Sequence, residues 1–540
     1  MAPAPVPKPA PVPARRRGSA RWGGLVAFTF AIFGWAVPAL ADTTIPIDGT
    51  VTDEAPDHVF VEFEVPAGTA EIEVRHDDLD ADDILDWGLY DPSGFRGWGG
   101  GNSEPIVVAE DAASRSYLTG PIQAGTWKVV IGKAKLVDGT ANYHLEVVLK
   151  DAQTLAPQPE REPYVDPGAV VPEARWYAGD FHVHSRESGD AGPSIEEIVE
   201  FARGRGLDFV ELSEHNTTSQ LDFMNAAQAD ASPLLLIPGV EYTTYDGHAN
   251  GIGATRFVDH KIGLPGVTID AAADAFHDQG ALFSINHPAL DLGELCIGCA
   301  WGHELDVSKI DAVEVATAGS SVIFYDATIA FWEGLAAQGR RVAAVGGSDD
   351  HRAGVDEGSF GTPIGSPATM VYAEELSVAG ILEGVRQART VVKIRGPEDP
   401  MVELKKSSDG GTLSVVARVT GGESTQARWV VNGEPSDYVD VTSADQELVL
   451  PVANPAEGKS DRYRLEVWVG TQPVTLTSHL WIDHEDIAEP PPVEDDGCAA
   501  KQTSSPARWP LGVLAMVMLG FVVRRRIHGA RTRGLDGRDR

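Results

Sequence analysis

Lysine, arginine and cysteine are scarce in this 540-residue chain, and two common catalytic motifs are missing. Its 43 lysines and arginines are outnumbered by 80 aspartates and glutamates, which gives a formal net charge of −37. Such an acidic chain is not expected to carry a broad basic surface for long nucleic acids. It has no GxSxG nucleophile elbow and no P-loop, which excludes the usual serine hydrolases and P-loop nucleotide-binding enzymes.

The three cysteines divide between two places. Cys498 lies near the C-terminus, whereas Cys296 and Cys299 form the sequence CIGC just after an NHP motif. In an oxidising compartment this pair is expected to form a local disulfide that stiffens its loop. The alternative is a metal site made by both cysteines and His303, but a structural zinc site normally needs a fourth ligand, which this stretch does not plainly offer.

The two ends of the chain are predicted to be sorting signals rather than parts of the fold. Residues 1–41 pass from a Pro/Ala stretch through Arg15, Arg16 and Arg17 to the apolar segment GGLVAFTFAIFGWAVPALA, which predicts a signal peptide cleaved after Ala41. An uncleaved N-terminal anchor is the alternative, because the apolar run has nearly the length of a membrane span. At the other end, an acidic Pro-rich linker containing Cys498 (residues 486–508) precedes a hydrophobic helix and basic tail (residues 509–540).

The C-terminal tail resembles the MYXO-CTERM type of sorting tail. Both consist of a Gly-Cys-Ala type of sequence, a short hydrophobic helix and an arginine cluster, in that order. This resemblance implies that the helix is removed and the protein is retained at the cell surface. A plain C-terminal membrane anchor is the alternative. The arginines should remain cytoplasmic in either case, so the body of the protein is predicted to be exported and held at the cell envelope through its tail.

Two predicted all-β regions flank a region of helical periodicity. HVFVEFEV, WKVVIG and YHLEVVL alternate apolar and polar residues and predict a β-sandwich over residues 42–150, similar to pre-peptidase C-terminal domains. A Pro-rich linker follows over residues 151–172, and LSVVARV and RYRLEVWVG predict a second, immunoglobulin-like sandwich over residues 397–485. Between them, in residues 173–396, amphipathic segments alternate with short apolar runs such as LDFVEL and ALFSI. This alternation predicts an α/β fold of βα units.

Histidines and carboxylates recur at the predicted ends of successive strands in this α/β region. They are His182 and His184 in GDFHVHS, His215 in SEHN, Glu241 in PGVEY, His248 in GHAN, His287 in NHP, and Asp349 and His351 in GGSDDH. The carboxyl ends of the strands of a βα barrel converge on one face, so residues far apart in sequence become neighbours there. A single such histidine is usually a surface or hydrogen-bonded residue, whereas the whole set predicts a centre of two or three divalent ions, with zinc, manganese or iron all suited to these ligands.

In this order, the motifs resemble the PHP (polymerase and histidinol phosphatase) superfamily, and HVHSRESGD and GLDFVELSEHNT are most similar to its CehA/McbA-type metallohydrolase branch. The resemblance implies a PHP-type distorted (β/α)7 barrel, flanked here by the two sandwiches. It also implies three metal positions. The first would be held by His182, His184, Glu241 and Asp349, the second by Glu241 as a bridge with His248 and His287, and the third by Asp190, His215 and His351.

Four other residues are placed by comparison with these motifs. Glu214 stands where the family usually has aspartate, and we interpret it as a support for His215 rather than a ligand. His260, His277 and His303 match none of the strand-end motifs and are interpreted as structural or solvated.

The predicted activity is metal-dependent ester hydrolysis. Two metals held close together can bridge a hydroxide that is deprotonated near neutral pH and can stabilise the developing oxyanion. Glu241 would bridge the metals, and His248 is a candidate general acid if it is not a ligand. The resemblance implies a phosphoesterase for phosphomonoesters or nucleotides, and a positive metal pocket favours a small anionic ester. Hydrolysis of carboxyl or aryl carbamate esters, which the nearest branch also implies, is the runner-up. A non-catalytic surface binding protein is a further alternative, which the intact ligand set disfavours.

Overall fold

The computed structural model describes most of the chain between the two predicted sorting signals. The described residues are 42–79, 82–317, 321–355, 362–409, 412–452 and 455–484. The predicted signal peptide (residues 1–41), the acidic linker and the hydrophobic tail (residues 486–540) lie outside them. Within the described ranges, no helix is both long and apolar enough to cross a membrane.

The first eight strands form two four-stranded antiparallel sheets that share one apolar core. Their bounds are β1 (Thr43–Thr52), β2 (His58–Val65), β3 (Glu71–Asp77), β4 (Ile84–Asp91), β5 (Gly94–Gly100), β6 (Ile106–Ala109), β7 (Gly125–Lys135) and β8 (Thr140–Lys150). One sheet has the order β1-β8-β3-β6 and the other β2-β7-β4-β5. Alternate residues point inward, as the two-residue period of the sequence requires, so that Ile72 and Leu145 of one sheet and Trp127 of the other are fully buried.

The middle of the chain combines strands and helices. Its described elements are β9 (Arg175–Asp180), α1 (Ile195–Gly204), β10 (Phe209–His215), α2 (Leu221–Ala231), β11 (Leu235–Thr244), β12 (Gly247–Ile252), α3 (Ile269–His277), β13 (Leu282–Ile285), β14 (Ala312–Thr317), α4 (Ser321–Ala337), β15 (Ala343–Gly347), β16 (Ala368–Ala373), α5 (Val378–Arg386) and β17 (Thr390–Lys393). Helix α1 begins at a capping box, in which Ser194 Oγ accepts from the Glu197 amide and the Glu197 carboxylate accepts from the Ser194 amide.

The sheet of this region is mixed rather than uniformly parallel. Its order is β15-β14-β13-β12-β11-β10-β9-β16-β17. Strands β9 to β11 are parallel, as are β13 to β15, but β12 is antiparallel to both of its neighbours and β16 is antiparallel to β9 and β17. The fold is therefore mixed α/β and rich in strands. A simple run of βα units is not formed, because β11 and β12 are joined by the two-residue turn Tyr245-Asp246, whereas a parallel pair needs a crossover of a dozen or more residues.

The last nine strands continue this sheet and add another. Their bounds are β18 (Met401–Asp409), β19 (Thr412–Thr420), β20 (Thr425–Val431), β21 (Glu434–Pro435), β22 (Val439–Val441), β23 (Asp445–Pro451), β24 (Ser460–Val469), β25 (Gln472–Thr477) and β26 (Leu480–Asp483). Strands β18, β19 and β23 form a separate sheet, but β25 pairs with β17 in the register Val391↔Thr477. The sequence predicted an independent sandwich here, whereas one of its two sheets is continuous with the α/β sheet.

Candidate metal centre

The segments that carry the predicted ligands meet at one edge of the mixed sheet. His182 and His184 follow β9, His215 ends β10 and Glu241 lies near the end of β11. His287 follows β13, and Asp349 and His351 follow β15. Parallel strands bring their carboxyl ends to a common edge, so these positions become neighbours despite their separation in sequence.

His248 reaches the same edge by a different route from the one predicted. It was expected at the end of a strand, but it is the second residue of β12 and pairs with Thr243 in the antiparallel β11–β12 hairpin. The start of an antiparallel strand lies beside the end of its partner. The reversed direction of β12 therefore still places His248 among the other candidates.

Glu241 lies at the middle of the cluster, with imidazole nitrogens around both carboxylate oxygens. Its distances are 3.3 Å from Oε1 to His182 Nε2, 3.2 Å from Oε1 to His248 Nδ1, 3.5 Å from Oε1 to His287 Nε2, 3.6 Å from Oε2 to His184 Nε2 and 2.7 Å from Oε2 to His215 Nδ1. One buried carboxylate thus contacts five of the six candidate histidines, the arrangement expected of a bridging ligand.

Two further carboxylates complete the cluster. Asp349 Oδ1 lies 3.3 Å from His182 Nε2 and 3.2 Å from His184 Nε2. Asp190 Oδ2 lies 3.2 Å from His215 Nε2 and 3.4 Å from His351 Nε2. All nine residues that the sequence singled out as ligands are therefore brought together.

Several subsets are compact enough to hold one ion each. The ligand atoms lie within 4.8 Å of one another in the sets His182-His184-Glu241, His182-His287-Asp349 and His184-His215-His351. Moreover, three buried ring nitrogens have no partner in hydrogen-bonding geometry among the described residues, namely His182 Nε2, His184 Nε2 and His248 Nε2. An unsatisfied buried polar atom costs about 1–3 kcal/mol, and imidazole with carboxylate is a donor set for transition metals. The residues present thus fit divalent metal ions.

The second nitrogen of most of the imidazoles is held by another group. These contacts are His182 Nδ1 to Glu314 Oε2 at 2.8 Å, His184 Nδ1 to Ser188 Oγ at 3.0 Å, His215 Nδ1 to Thr243 Oγ1 at 2.7 Å, His287 Nδ1 to Cys299 O at 3.1 Å and His351 Nδ1 to Asp349 O at 2.9 Å. Metal-binding histidines characteristically use their free ring nitrogen in this way, which fixes the tautomer and the ring orientation.

Sequence reasoning missed two of these orienting groups. Glu314 lies in the fully buried strand β14. A charged residue inside an apolar run is a signal that could have identified it as an orienting group, but we interpreted the run only as a strand. Thr243 holds His215, the role expected of Glu214. The Glu214 carboxylate instead accepts from the Ser185 amide and hydroxyl, and burial raises the pKa of Glu214 to about 8.

Burial and neighbouring charges shift the pKa values of the cluster in opposite directions. Burial alone would raise the pKa of Glu241, but His182, His215 and His248 hold it well below its usual range. Conversely, burial would lower the pKa of His215, yet Asp190 and Glu241 raise it well above the usual value. The carboxylates are therefore ionised, and metal ions and protons compete for the same imidazole nitrogens.

The backbone is unusual where two candidates are attached. Asp349 has φ 57° and His287 has φ 26°, in a region that non-glycine residues seldom adopt and that is often found at functional sites. Close approach also requires Gly347 at the end of β15, because a Cβ there would lie 2.3 Å from the Cβ of His182. The strand ends are thus shaped to bring side chains together.

The CIGC loop packs beside the cluster. Cys296 and Cys299 form a disulfide, as predicted, and the carbonyl of Cys299 is the group that contacts His287 Nδ1. The alternative metal site with His303 is not formed, because both sulfurs are paired and His303 Nε2 lies 2.7 Å from Thr244 Oγ1. The disulfide loop therefore packs directly against the candidate centre, and the Cys299 sulfur, paired with Cys296, lies within 4.8 Å of ring nitrogens of His248 and His287.

A cavity of about 720 Å³ opens onto the cluster. Asp190, His215, Glu241, His248, Asp349 and His351 line one side of it. The nine candidates thus form a largely buried cluster of imidazoles and carboxylates beside a cavity that a small molecule can enter.

Comparison with known proteins gives distant similarities. No protein-family model matches the chain, and no curated protein matches it. A two-domain protein from Bacteroides vulgatus, containing a predicted PHP-like metal-dependent phosphoesterase, is 20% identical with a TM-score of 0.35, covering 60% of this chain and 100% of that one. An amidohydrolase from Chromobacterium violaceum is 18% identical with a TM-score of 0.23, covering 33% of this chain and 88% of that one. A predicted metal-dependent phosphoesterase from Bifidobacterium adolescentis is 14% identical with a TM-score of 0.23, covering 32% and 87%. Similarities of this size do not transfer an activity.

Proposed function

We propose that this protein is an exported, metal-dependent hydrolase of the PHP type that cleaves phosphomonoesters or nucleotides. The observation that carries the proposal is the convergence of six imidazoles and three carboxylates around Glu241 at the floor of a cavity. The resemblance of its motifs to the CehA/McbA branch supports the same class.

The sheet itself is consistent with the distorted (β/α)7 barrel of that class. Strand β15 and strands β16 and β17 approach each other through hydrogen bonds, from Gly346 N to Thr369 Oγ1 at 2.7 Å and from Thr390 Oγ1 to Ala344 O at 2.7 Å. A sheet that curves back on itself carries its strand ends on one rim. We propose that β9 to β17 form such a barrel.

The centre would hold two or three divalent ions. When bound, such ions would activate a water molecule as nucleophile and stabilise the oxyanion of the transition state. Glu241 would bridge two positions, with His182, His184 and Asp349 on one side of it and His248 and His287 on the other, while Asp190, His215 and His351 would hold a third ion. If His248 is not a ligand, its position on the cavity surface suits proton transfer to a leaving group.

Two substrate classes are separated by the charge of the site. Three divalent ions, balanced by the three candidate carboxylates and by Glu314 beside His182, would leave a positive pocket, which favours a phosphomonoester. The second candidate is a carboxyl or aryl carbamate ester, and a specific observation favours it: Ile84, Ile262, Leu295 and Ile297 give the cavity an apolar side. We rank the phosphomonoester first, because a neutral ester gains less from the field of the metals.

The decisive experiment is metal analysis of the purified protein together with a hydrolysis panel of phosphomonoesters, nucleotides and aryl carbamates. We expect two or three metals per chain and a higher kcat/KM for phosphomonoesters. A stoichiometry well below one metal would sink the metal-centre proposal. A clear preference for the neutral carbamate would reverse the substrate ranking and leave the metal centre in place.

Export and retention at the envelope are part of the proposal and rest on the sequence of the two ends. Protease added to intact cells, or to cells stripped of any outer membrane, should digest the α/β region. Full protection in both preparations would contradict export.

A further inference from the structure

The cavity above the candidate metal centre has a wall built by the N-terminal β-sandwich. His58 at the start of β2, Asp86 in β4 and Trp98 in β5 line the same cavity as Asp190 and His215. A domain that the sequence marked only as accessory thus contributes surface to the cavity where a substrate would bind.

This wall is fixed in place by polar contacts. Tyr245 Oη donates to Asp86 Oδ2 at 2.7 Å. Ser116 Oγ donates to the carbonyl of Glu187 at 2.9 Å, and Thr217 Oγ1 donates to the carbonyl of Ser116, also at 2.9 Å. These bonds tie the sandwich to the loops that follow β9 and β10, so the wall and the candidate ligands are held in one frame.

Two histidines of the cavity have unused hydrogen-bonding capacity, His58 on the sandwich wall and His260 in the loop between β12 and α3. His260 is 2% exposed and neither ring nitrogen has a partner among the described residues, while His58 is 7% exposed and its Nδ1 is likewise unpartnered. Burial, reinforced by Lys261, lowers the pKa of His58 to about 4 and that of His260 well below its usual value. Both imidazoles are therefore neutral at physiological pH, and each offers one donor and one acceptor.

The surroundings of these imidazoles are aromatic. Trp98 meets His260 edge-on with ring centroids 4.4 Å apart, and Tyr245 lies parallel to His58 with centroids 5.7 Å apart. Lys261, which follows His260, is already engaged with Asp259 and with Tyr90, and Asp86 accepts the bond from Tyr245. The cluster of His58, Asp86, Trp98, Tyr245 and His260, which we call the cross-domain cluster, thus offers flat rings and two neutral imidazoles, beside the carboxylate of Asp86 that Tyr245 already engages.

We propose that the cross-domain cluster is a substrate-recognition subsite that binds an uncharged, planar, hydrogen-bonding group of the ester while its reacting end lies at the metal centre. The proposal rests on the proposed function and names the substrate class for that same cavity, namely esters of aromatic or heterocyclic alcohols. It also gives the N-terminal sandwich a role in specificity.

The spacing between the two parts suits one small ester. Tyr245 lies in the turn between β11 and β12, four residues after Glu241, so their Cα atoms are at most about 14 Å apart. Asp86 of the cross-domain cluster also lines the same cavity as His215 and Asp190 of the candidate centre. A molecule with one aromatic ring and one phosphate can therefore contact both ends of the cavity.

The test uses full-length holoprotein and two phosphomonoesters, 4-carbamoylphenyl phosphate and glycerol 2-phosphate, with phosphate release as the readout. His58→Phe and His260→Phe keep an aromatic ring but remove the nitrogens. We expect the ratio of kcat/KM for the aryl ester to that for the glycerol ester to fall at least tenfold in both variants. Because each ratio compares the same two leaving groups, their difference in reactivity cancels between variants. The matched control is His144→Phe, since His144 lies on β8, pairs with Asp48 and does not line the cavity.

A binding measurement separates failure of the subsite from failure of the proposed function. Calorimetric titration with 4-hydroxybenzamide, the product of the aryl ester, should show binding to wild type and at least tenfold weaker binding to His260→Phe. If wild type hydrolyses neither phosphate but shows this pattern, the subsite stands and the proposed hydrolysis fails. If hydrolysis occurs but the ratio and the product affinity are unchanged in folded variants, the subsite is overturned. If circular dichroism shows that a histidine variant does not fold, Trp98→Phe takes its place in the test. An unchanged ratio of kcat/KM values in Trp98→Phe would then count equally against the subsite.

Discussion

At the scale of single residues, the candidate centre depends on groups that hold imidazoles as much as on the imidazoles themselves. Glu314 illustrates this, because its carboxylate lies 2.8 Å from His182 Nδ1 and is buried in β14. The pair fixes which nitrogen of His182 points to Glu241 and Asp349. Removing the negative charge should therefore weaken metal binding without removing a ligand.

We predict that Glu314→Gln lowers metal affinity by about 10–100-fold, the usual effect of losing a group that orients a metal-bound histidine. Competition with a metal chelator measures the affinity, and circular dichroism checks the fold. Glu374→Gln is the matched control, because Glu374 is exposed and pairs with Arg389 at the surface. Equal affinities for wild type and Glu314→Gln would show that His182 needs no such support.

Loss of a direct candidate ligand should have a larger effect. We predict that His182→Ala or Asp349→Ala abolishes hydrolysis and leaves the domain folded, because both side chains lie on the rim of a packed sheet. His277→Ala serves as the control, since His277 pairs with Asp311 and does not line the cavity. If either ligand variant kept most of its activity with normal circular dichroism, the ligand assignment would be wrong.

The candidate ligands could be predicted from the sequence, whereas the residues that surround the cavity could not. Histidines at strand ends stand out because each follows an apolar run, and eight of the nine candidates were named from such motifs, whereas Asp190 came only from the family resemblance. His260 was interpreted as structural or solvated, whereas it is buried beside the cavity. Its ring neighbours His58 and Trp98 come from another domain, and no local pattern in the sequence reports a contact across that distance.

At the scale of elements, the disulfide loop positions one candidate ligand. Its Cys299 carbonyl contacts His287 Nδ1, and Gly298 packs so closely on the β11–β12 hairpin that a Cβ would lie 2.3 Å from the Thr244 carbonyl. A disulfide restricts the alternatives open to such a loop. The loop therefore couples the redox state of Cys296 and Cys299 to the orientation of His287.

We predict that the double variant Cys296→Ser, Cys299→Ser lowers kcat/KM by about tenfold. The lower end of the range for lost orienting contacts applies, because the Cys299 carbonyl itself remains. Treating wild type with a reductant should reproduce the loss, whereas the double variant should be insensitive to it. Identical activities of oxidised wild type and the double variant would mean that packing alone holds the loop.

Strand direction is the property of these elements that the sequence concealed. The apolar runs in β10, β11, β13, β14 and β15 were recognised as strands, but short buried runs look the same whether they are parallel or antiparallel. Only the two-residue turn at Tyr245 and Asp246 forces β12 to reverse. That turn also carries Tyr245 to the N-terminal sandwich, so the same departure from a regular barrel builds the cross-domain cluster.

At the scale of the whole molecule, the C-terminal strands are joined to the α/β region by more than sheet hydrogen bonds. Glu333 of α4 accepts from Arg462 Nη2 at 2.9 Å and from Arg464 Nε at 2.9 Å, and lies 3.0 Å from His479 Nε2. All four side chains are largely buried. This ion cluster lies where a helix of one region packs on strands of the other, and it should make the two unfold together.

The last prediction is that Glu333→Gln destabilises this joint by about 3 kcal/mol at pH 7, the lower end for removing one partner of a buried ion pair. Burial would raise the pKa of Glu333, but His479 and Arg464 lower it well below its ordinary value of 4.5. A carboxylate with a depressed pKa stabilises the fold fully above its unfolded pKa, and this contribution is lost as the pH falls towards the folded pKa. Urea unfolding should therefore show a stability difference between wild type and Glu333→Gln that is constant from pH 7 to about 6 and shrinks below about pH 4.5.

The control is Glu383→Gln, at an exposed position beside Arg386, which should show no such difference from wild type at any pH. A gap between wild type and Glu333→Gln that stayed the same down to pH 3 would mean that Glu333 acts through packing rather than through its charge.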